Sequence, residues 1–305
     1  MLDKLLPDNI NDAVKRLLKY EKIYELRLRL NKPVLINYCG KYSHLTAEGL
    51  SDQPDNAFTL DRRAMEGLIY KASGHSVYAF NDQIKQAYIT VQGGLRLGIC
   101  GEIVFEDNAV KTIKNFTSVN IRIPHEIKNC SLNAFRYIAN GQINNTLVIS
   151  PPGAGKTTFL RDLCVQFSKL TPLQNILVLD ERSEIAAVSN GAPCLDAGPY
   201  TDIMTGCTKR FGFSQGIRSL RPDVIVTDEL GAADDIAAAL TASAQGVKII
   251  ASAHAYDHID LSINPDFAEV IKKRMFKRFI VLSARRGPGT YEGIYDENFN
   301  PINFF

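Results

Sequence analysis

The run Ser150-Pro151-Pro152-Gly153-Ala154-Gly155-Lys156-Thr157-Thr158 lies between a short apolar stretch and a helical pattern. Those residue types at that spacing suit a polyphosphate. Glycines let backbone N–H groups curl around phosphate oxygens, the helix start adds its positive end, and the lysine reaches the terminal phosphates. The run matches the nucleotide-binding loop Gly-x-x-x-x-Gly-Lys-Ser/Thr except that Ser150 takes the first glycine's place. Pro152, Gly153, Ala154, Gly155, Lys156, Thr157 and Thr158 are the expected phosphate-binding residues. Lys156 also counts among the catalytic candidates, and the Thr157 hydroxyl is an expected ligand to Mg2+. A chance glycine-rich turn would have no reason to sit between a strand and a helix.

Asp228 and Glu229 close a second apolar run, Val224-Ile-Val-Thr227. An aspartate at a strand end holds Mg2+ through water, and the carboxylate beside it polarises the attacking water. The bland alternative, a solvated acidic pair, loses ground once a phosphate loop belongs to the same sheet. Asp228-x-x-Gly231 also fits a GTPase element, but no Asn-Lys-x-Asp guanine reader follows it, so ATP is the expected nucleotide. His254 ends Ile249-Ile-Ala-Ser252-Ala-His254, where an imidazole senses the terminal phosphate by hydrogen bonding unless it is merely structural.

These groups need strands to hold them. After about residue 130 the chain alternates between apolar runs at 146–150, 175–180, 224–228, 247–251 and 279–283 and helical segments. Continuous apolar runs fit strands buried on both faces of a mostly parallel sheet, whose ligands sit at the strands' carboxyl ends. Residues 1–125 have a different texture. A helix is expected around 10–20 and another over 62–72. Strands are expected at 24–30, 33–38, 88–91, 95–100 and 119–123, with Gly93-Gly94 as a hairpin turn. The expected architecture is α/β: a RecA-like P-loop domain over 126–305, preceded by a small α+β domain over 1–125.

Composition narrows the classes. With 305 residues, 45% apolar and 22% charged, the chain is globular rather than disordered. Its 35 basic residues nearly balance 33 acidic ones, so it is no general coat for nucleic acid or lipid. Cys39, Cys100, Cys130, Cys164, Cys194 and Cys207 show no zinc-ligand spacing and read as thiols of a reducing compartment. No apolar stretch is long enough to span a membrane, and the first residues lack a signal-peptide pattern. A cytoplasmic protein is expected.

The motifs together resemble the secretion-type ATPases of type II and type IV systems, a family that includes pilus motors. Leu179-Asp180-Glu181-Arg182-Ser183-Glu184 is similar to that family's acidic box, Ser219-Leu-Arg221-Pro222-Asp223 to the lead-in of its Mg2+ strand, and Ser252-Ala-His254 to its histidine box. Glu25-Leu-Arg27-Leu-Arg29, Gly93-Gly-Leu-Arg96-Leu-Gly98, Ser118-Val-Asn-Ile-Arg122-Ile-Pro124 and Arg285-Arg-Gly-Pro-Gly289 extend the likeness over almost the whole chain, toward the branch that serves endospore formation. Many members carry glycine before the glutamate; Asp228 departs from that pattern and makes the Mg2+ site more conventional. The resemblance implies a ring, expected to be a hexamer, with ATP between subunits and Arg96 or Arg122 acting in trans. It further implies attachment to the cytoplasmic face of a membrane complex. There the protein would power the mother cell–forespore channel, its partners being the membrane proteins of the stage III sporulation channel complex. Asp180, Glu181 and Glu184 of the acidic box are catalytic candidates that either orient water or pair with arginines. Arg96 and Arg122 are either trans arginines or surface residues of the small domain.

Other features compete. Gly212-Phe-Ser214-Gln-Gly216 fits a serine-nucleophile elbow but follows a polar run, and reads better as a loop near a subunit contact. Residues 237–244 form a small-residue helix for close packing. The basic run containing Lys272, Lys273, Arg274, Lys277, Arg278, Arg285 and Arg286 is either a solvated face or a surface for a partner protein or anionic lipid. Tyr24, Tyr38, Tyr78 and Tyr88 beside Arg27 and Arg29 raise an ATPase that binds single-stranded nucleic acid, although no basic stripe or RNA motif accompanies them. Nucleic acid is therefore not the expected partner. A nucleotide-gated scaffold without turnover would not need Glu229.

Overall fold

The computed structural model describes residues 2–76, 80–91, 94–189 and 191–304. Tyr78 and Gly93 lie outside them. The chain divides into two compact units, one comprising Met1–His125 with Ala187–Cys194, the other Glu126–Ala186 with Leu195–Phe305. Ala187–Cys194, from the middle of the second half of the sequence, thus belongs with the first.

The first unit contains α1 (Leu2–Leu5), α2 (Asp8–Leu17), α3 (Arg62–Ala72) and α4 (Asn81–Lys85). Its strands are β1 (Ile23–Arg29), β2 (Leu35–Tyr38), β3 (Lys41–Leu45), β4 (Leu50–Ser51), β5 (Tyr88–Val91), β6 (Leu95–Glu106) and β7 (Ala109–Arg122). They form one antiparallel sheet in the order β4-β3-β2-β1-β7-β6-β5. Period-two alternation decides its faces. Leu26, Leu28, Leu97 and Ile121 are buried in a core shared with Ile10 of α2 and Leu68 of α3, while Arg27 and Arg29 alternate with the leucines toward the other face. The helix expected at 10–20 starts at Asp8, behind Pro7, and ends at Leu17. Strand β7 begins ten residues before the expected 119, because Asp107 and Asn108, at φ 49° and 60°, turn the chain into a long β6–β7 hairpin. Two consecutive positive-φ residues are what a tight hairpin requires, and Asp and Asn tolerate them best after glycine.

The second unit begins with α5 (Leu132–Ile138) and a short pair, β8 (Ala139–Asn140) and β9 (Gln142–Ile143). The main sheet contains β10 (Thr146–Ser150), β11 (Ile176–Asp180), β12 (Thr201–Thr205), β13 (Val224–Thr227), β14 (Lys248–His254), β15 (Arg278–Ser283), β16 (Thr290–Tyr295) and β17 (Pro301–Phe304). Its order is β12-β11-β13-β14-β10-β15-β16-β17; all pairs from β12 to β15 are parallel and the last two antiparallel. Every residue of β10, β11 and β13 is buried, in keeping with their apolar stretches 147–149, 176–179 and 224–226. The helices are α6 (Lys156–Phe167), α7 (Lys209–Leu220), α8 (Ala233–Ala244), α9 (His258–Ile263) and α10 (Ala268–Lys272).

Gly212-Phe-Ser214-Gln-Gly216 is not a loop but the middle of α7. A Cβ on Gly212 would stand 2.7 Å from Leu179 Cδ2, and one on Gly216 would press on Leu177, so the glycines let α7 lie close against β11. Packing here overrides glycine's helix penalty of about 1 kcal/mol. The small-residue helix α8 buries Ala239 and Ala242. Among the described residues, no helix is long and apolar enough to cross a membrane.

Candidate active site

Strand β14 lies between β10 and β13 in the sheet, so the carboxyl ends of three neighbouring parallel strands present Lys156, His254 and the Asp228–Glu229 pair side by side. The loop after β10 turns through Gly153 (φ 75°) and Gly155 (φ 93°), conformations that cost glycine little. Helix α6 opens at Lys156, with Gly155 as its N-cap. The loop leans on the turn before β16: the Gly289 N–H donates to the Ala154 carbonyl at 2.8 Å, and a Cβ on Gly155 would come within 3.0 Å of that nitrogen.

Lys156 is 6% exposed. Its ammonium has four acceptors for three N–H donors, so one hydrogen is shared: the Ser150 carbonyl at 3.0 Å, Ser150 Oγ at 3.2 Å, the Pro151 carbonyl at 3.3 Å and His254 Nδ1 at 3.0 Å. Burial pulls its pKa down to about 8, against the opposing charges of Glu229 and Asp228. An ammonium has only hydrogens to offer, so His254 Nδ1 accepts and the ring proton sits on Nε2. From there it is donated to Glu229 Oε1 at 3.2 Å. The other Glu229 oxygen, Oε2, accepts from Arg182 Nη1 at 2.9 Å. Burial pushes this carboxyl up, but the hydrogen bond from His254 and the charge of Arg182 outweigh it, and its pKa lies below the usual carboxylate value. Glu229 itself has φ 43°, and its N–H donates to the Ser252 hydroxyl of β14 at 3.1 Å.

Asp228 is 4% exposed, and burial, followed by the Asp180 charge, pushes its pKa up to about 6. A buried carboxylate held at that cost suits a cation. Among the described residues no three His, Cys, Asp or Glu side chains are placed to hold a metal. Asp228 and Thr157 would be the protein donors to Mg2+, a hard cation that takes oxygen ligands. The glycine turns and the reach of Lys156 fit a nucleotide's phosphates. Beside the loop, a cavity of about 270 Å3 is lined by Thr158, Arg161, Asp162, Val165, Glu126 and Lys128, among others.

The acidic box lies just beyond β11. Asp180 is fully buried and accepts the N–H groups of Glu184 (2.7 Å), Ile185 (3.1 Å) and Ala186 (2.9 Å), so it shapes the loop that follows. Glu181 pairs with Lys209 at 2.8 Å, a lysine rather than an arginine. The backbone carbonyl of Glu184 accepts from Arg161 Nη2 at 2.8 Å. Arg96 and Arg122 are direct cross-strand partners on β6 and β7 of the first unit, with the Arg96 guanidinium 4.9 Å from the Tyr88 ring centroid. Of the remaining tyrosines, Tyr24 meets His125 edge-on and Tyr38 packs on the first core. Within the basic run, Lys273, Lys277 and Arg285 pair with Glu269, Glu297 and Glu292. Arg182 and Lys209 were not among the expected site residues. Arg182 stands inside the acidic box, yet nothing local marks it as a partner of Glu229.

A glycine-rich loop, an acidic pair and a histidine stand at the ends of adjacent parallel strands, an arrangement that goes with the fold of the secretion ATPases. Solved structures agree. The pilus retraction motor PilT, determined with bound ADP, superposes with a TM-score of 0.58 at 14% identity, covering 89% of this chain and 76% of its own. The ATPase DotB of Legionella pneumophila gives 0.51 at 13%, covering 86% and 72%. At such identities the likeness concerns the fold. Sequence identifies the family: the model described as sporulation stage III, protein AA matches residues 2–301. Stage III sporulation protein AA of Bacillus subtilis (strain 168) is 33% identical over 307 residues, 98% of this chain and 96% of that protein. The chain belongs to the stage III sporulation protein AA family.

Proposed function

We propose that the chain is a Mg2+-dependent ATP hydrolase working as a ring of identical subunits, a hexamer by family resemblance. It would dock on the cytoplasmic face of a membrane complex and power the channel between mother cell and forespore. The observation that carries the enzymatic part is the continuous hydrogen-bonded chain from Lys156 through His254 to Glu229, with Asp228 alongside. Family membership supports the setting in spore formation.

Lys156 directs its donors at Ser150, Pro151 and His254. Arriving phosphate oxygens are better partners for an ammonium, so Lys156 exchanges protein acceptors for phosphate and releases His254 Nδ1. His254 stays tied to Glu229 through Nε2, so the presence of phosphate is felt at the carboxylate. Glu229 then orients the attacking water, a role typically worth about 10²–10⁴ in rate. Mg2+ held by Thr157 and Asp228 would neutralise charge on the transferring phosphoryl group. Arg96 or Arg122 of a neighbouring subunit would supply the remaining positive charge, which in comparable enzymes contributes about 10³–10⁵. The cavity next to Thr158 offers room for the nucleoside.

The test is ATP turnover per subunit over a wide range of protein concentration, with Lys156→Ala as the inactive control. Specific activity that climbs with concentration, and that falls in Arg96→Ala or Arg122→Ala while ADP still binds, supports sites completed by a neighbour. Both arginine variants behaving as wild type would end the trans-arginine role. No turnover at any concentration would end the enzymatic reading.

A further inference from the structure

Glu229 is held from two directions. His254, at the end of β14, donates to Oε1, and Arg182, on the loop after β11, donates to Oε2. Arg182 is solvent-facing, its side chain 56% exposed, whereas the loop beneath it is anchored at every turn. Asp180 takes three backbone N–H groups of that loop, Glu181 is tied to the buried Lys209, and Arg161 binds the carbonyls of Glu184 and Ile185. Ser183, next to Arg182, is left-handed at φ 52°, and Glu229 across the contact is left-handed at φ 43°. Non-glycine residues in that region carry strain, and strain concentrates where geometry serves function. An exposed ion pair contributes little to stability. So much anchoring around a pair of such small worth calls for another use.

We propose that Arg182 is a positioning residue for catalysis, which fixes the Glu229 carboxylate so that its remaining acceptor directions face the attacking water. The proposal rests on the reading of Glu229 as the water-orienting carboxylate. Each carboxylate oxygen has two acceptor directions. Arg182 and His254 take one on each oxygen, so rotation about the final side-chain bond is blocked while lone pairs stay open to water. With Arg182 gone, the carboxylate pivots about its single bond to His254. A latch that silences the resting enzyme would instead cover all the acceptor directions, and a guanidinium bound through one nitrogen does not.

The experiment compares wild type, Arg182→Ala, Arg182→Lys, Glu229→Gln and the Arg182→Ala/Glu229→Gln double variant of the full chain, by kcat, KM for MgATP and melting temperature. Misplacement of a reacting group by about 1 Å costs on the order of 10²-fold, so Arg182→Ala is expected to lose about 10–100-fold in kcat. KM and melting temperature should stay near wild type, because the arginine touches neither the phosphate loop nor the core. Arg182→Lys should recover part of the rate. The double variant should be no slower than Glu229→Gln alone, since Arg182 acts only through that carboxylate. Wild-type or raised kcat in Arg182→Ala, or a further proportional loss in the double variant, overturns the proposal while leaving Glu229's role intact. Wild-type turnover by Glu229→Gln is the separate result that ends the reading beneath it and the proposal with it.

Discussion

Replacing Asp228 with asparagine should stabilise the nucleotide-free protein near neutral pH, although the same change should weaken its use of Mg2+. The carboxyl is 4% exposed, and burial together with the Asp180 charge moves its pKa from the ordinary 3.8 to about 6. An acid whose pKa is raised by folding holds its proton more tightly in the native state than in the unfolded chain. Stability therefore falls as pH rises from 3.8 to about 6 and is flat beyond, as far as this group is concerned. At about 1.4 kcal/mol for each pH step, the gap between 3.8 and about 6 amounts to about 3 kcal/mol. Asparagine keeps the volume and drops the charge, so most of that penalty disappears. For a domain of this size 1 kcal/mol moves the midpoint by about 2–4 °C, so thermal melts in EDTA at about pH 7.5 should show Asp228→Asn roughly 5–10 °C above wild type. The difference should shrink at about pH 5, where the wild-type carboxyl is mostly protonated and less of the penalty has accrued. Added Mg2+ and ADP should raise the wild type more than the variant, since only the wild type then gains a counter-charge. Asp228→Asn melting at or below wild type at both pH values would refute the reasoning.

Two further outcomes follow from the phosphate loop. Lys156, pulled down to about 8 by burial, is mostly deprotonated at about pH 8.5, and pairing with phosphate restores its charge. ADP binding there should take up a fraction of a proton, seen calorimetrically as heats that vary with buffer ionisation enthalpy; buffer-independent heats would contradict it. Gly155→Ala places a Cβ at φ 93°, against the Gly289 nitrogen. A strain of about 1–2 kcal/mol should shift the loop and weaken ADP binding by about tenfold or more with the circular dichroism unchanged, and wild-type affinity would count against the cradle.

The strand ends bearing Lys156, Asp228 and His254 were legible in the sequence for a physical reason. Parallel strands buried on both faces are unbroken apolar runs, so polar residues at their carboxyl ends stand out. The edge strand β12, Thr-Asp-Ile-Met-Thr, had no such contrast and went unread. Asp180 was open between orienting water and pairing with arginines, and nothing local reveals that three backbone amides converge on it. Gly212 and Gly216 suggested a loop, since their purpose is visible only against Leu177 and Leu179 of a strand distant in sequence. Arg182 is the clearest case: its type and neighbours are ordinary, and only the fold sets it opposite Glu229.

The most direct measurement is single-turnover hydrolysis of MgATP by purified wild-type protein and Glu229→Gln, with bound nucleotide identified after separation. The account predicts ADP and phosphate from the wild type, and intact ATP retained by the variant with turnover lower by about 10²–10⁴. Hydrolysis by Glu229→Gln at the wild-type rate would contradict the assignment of the catalytic carboxylate, and with it the mechanism built on this site.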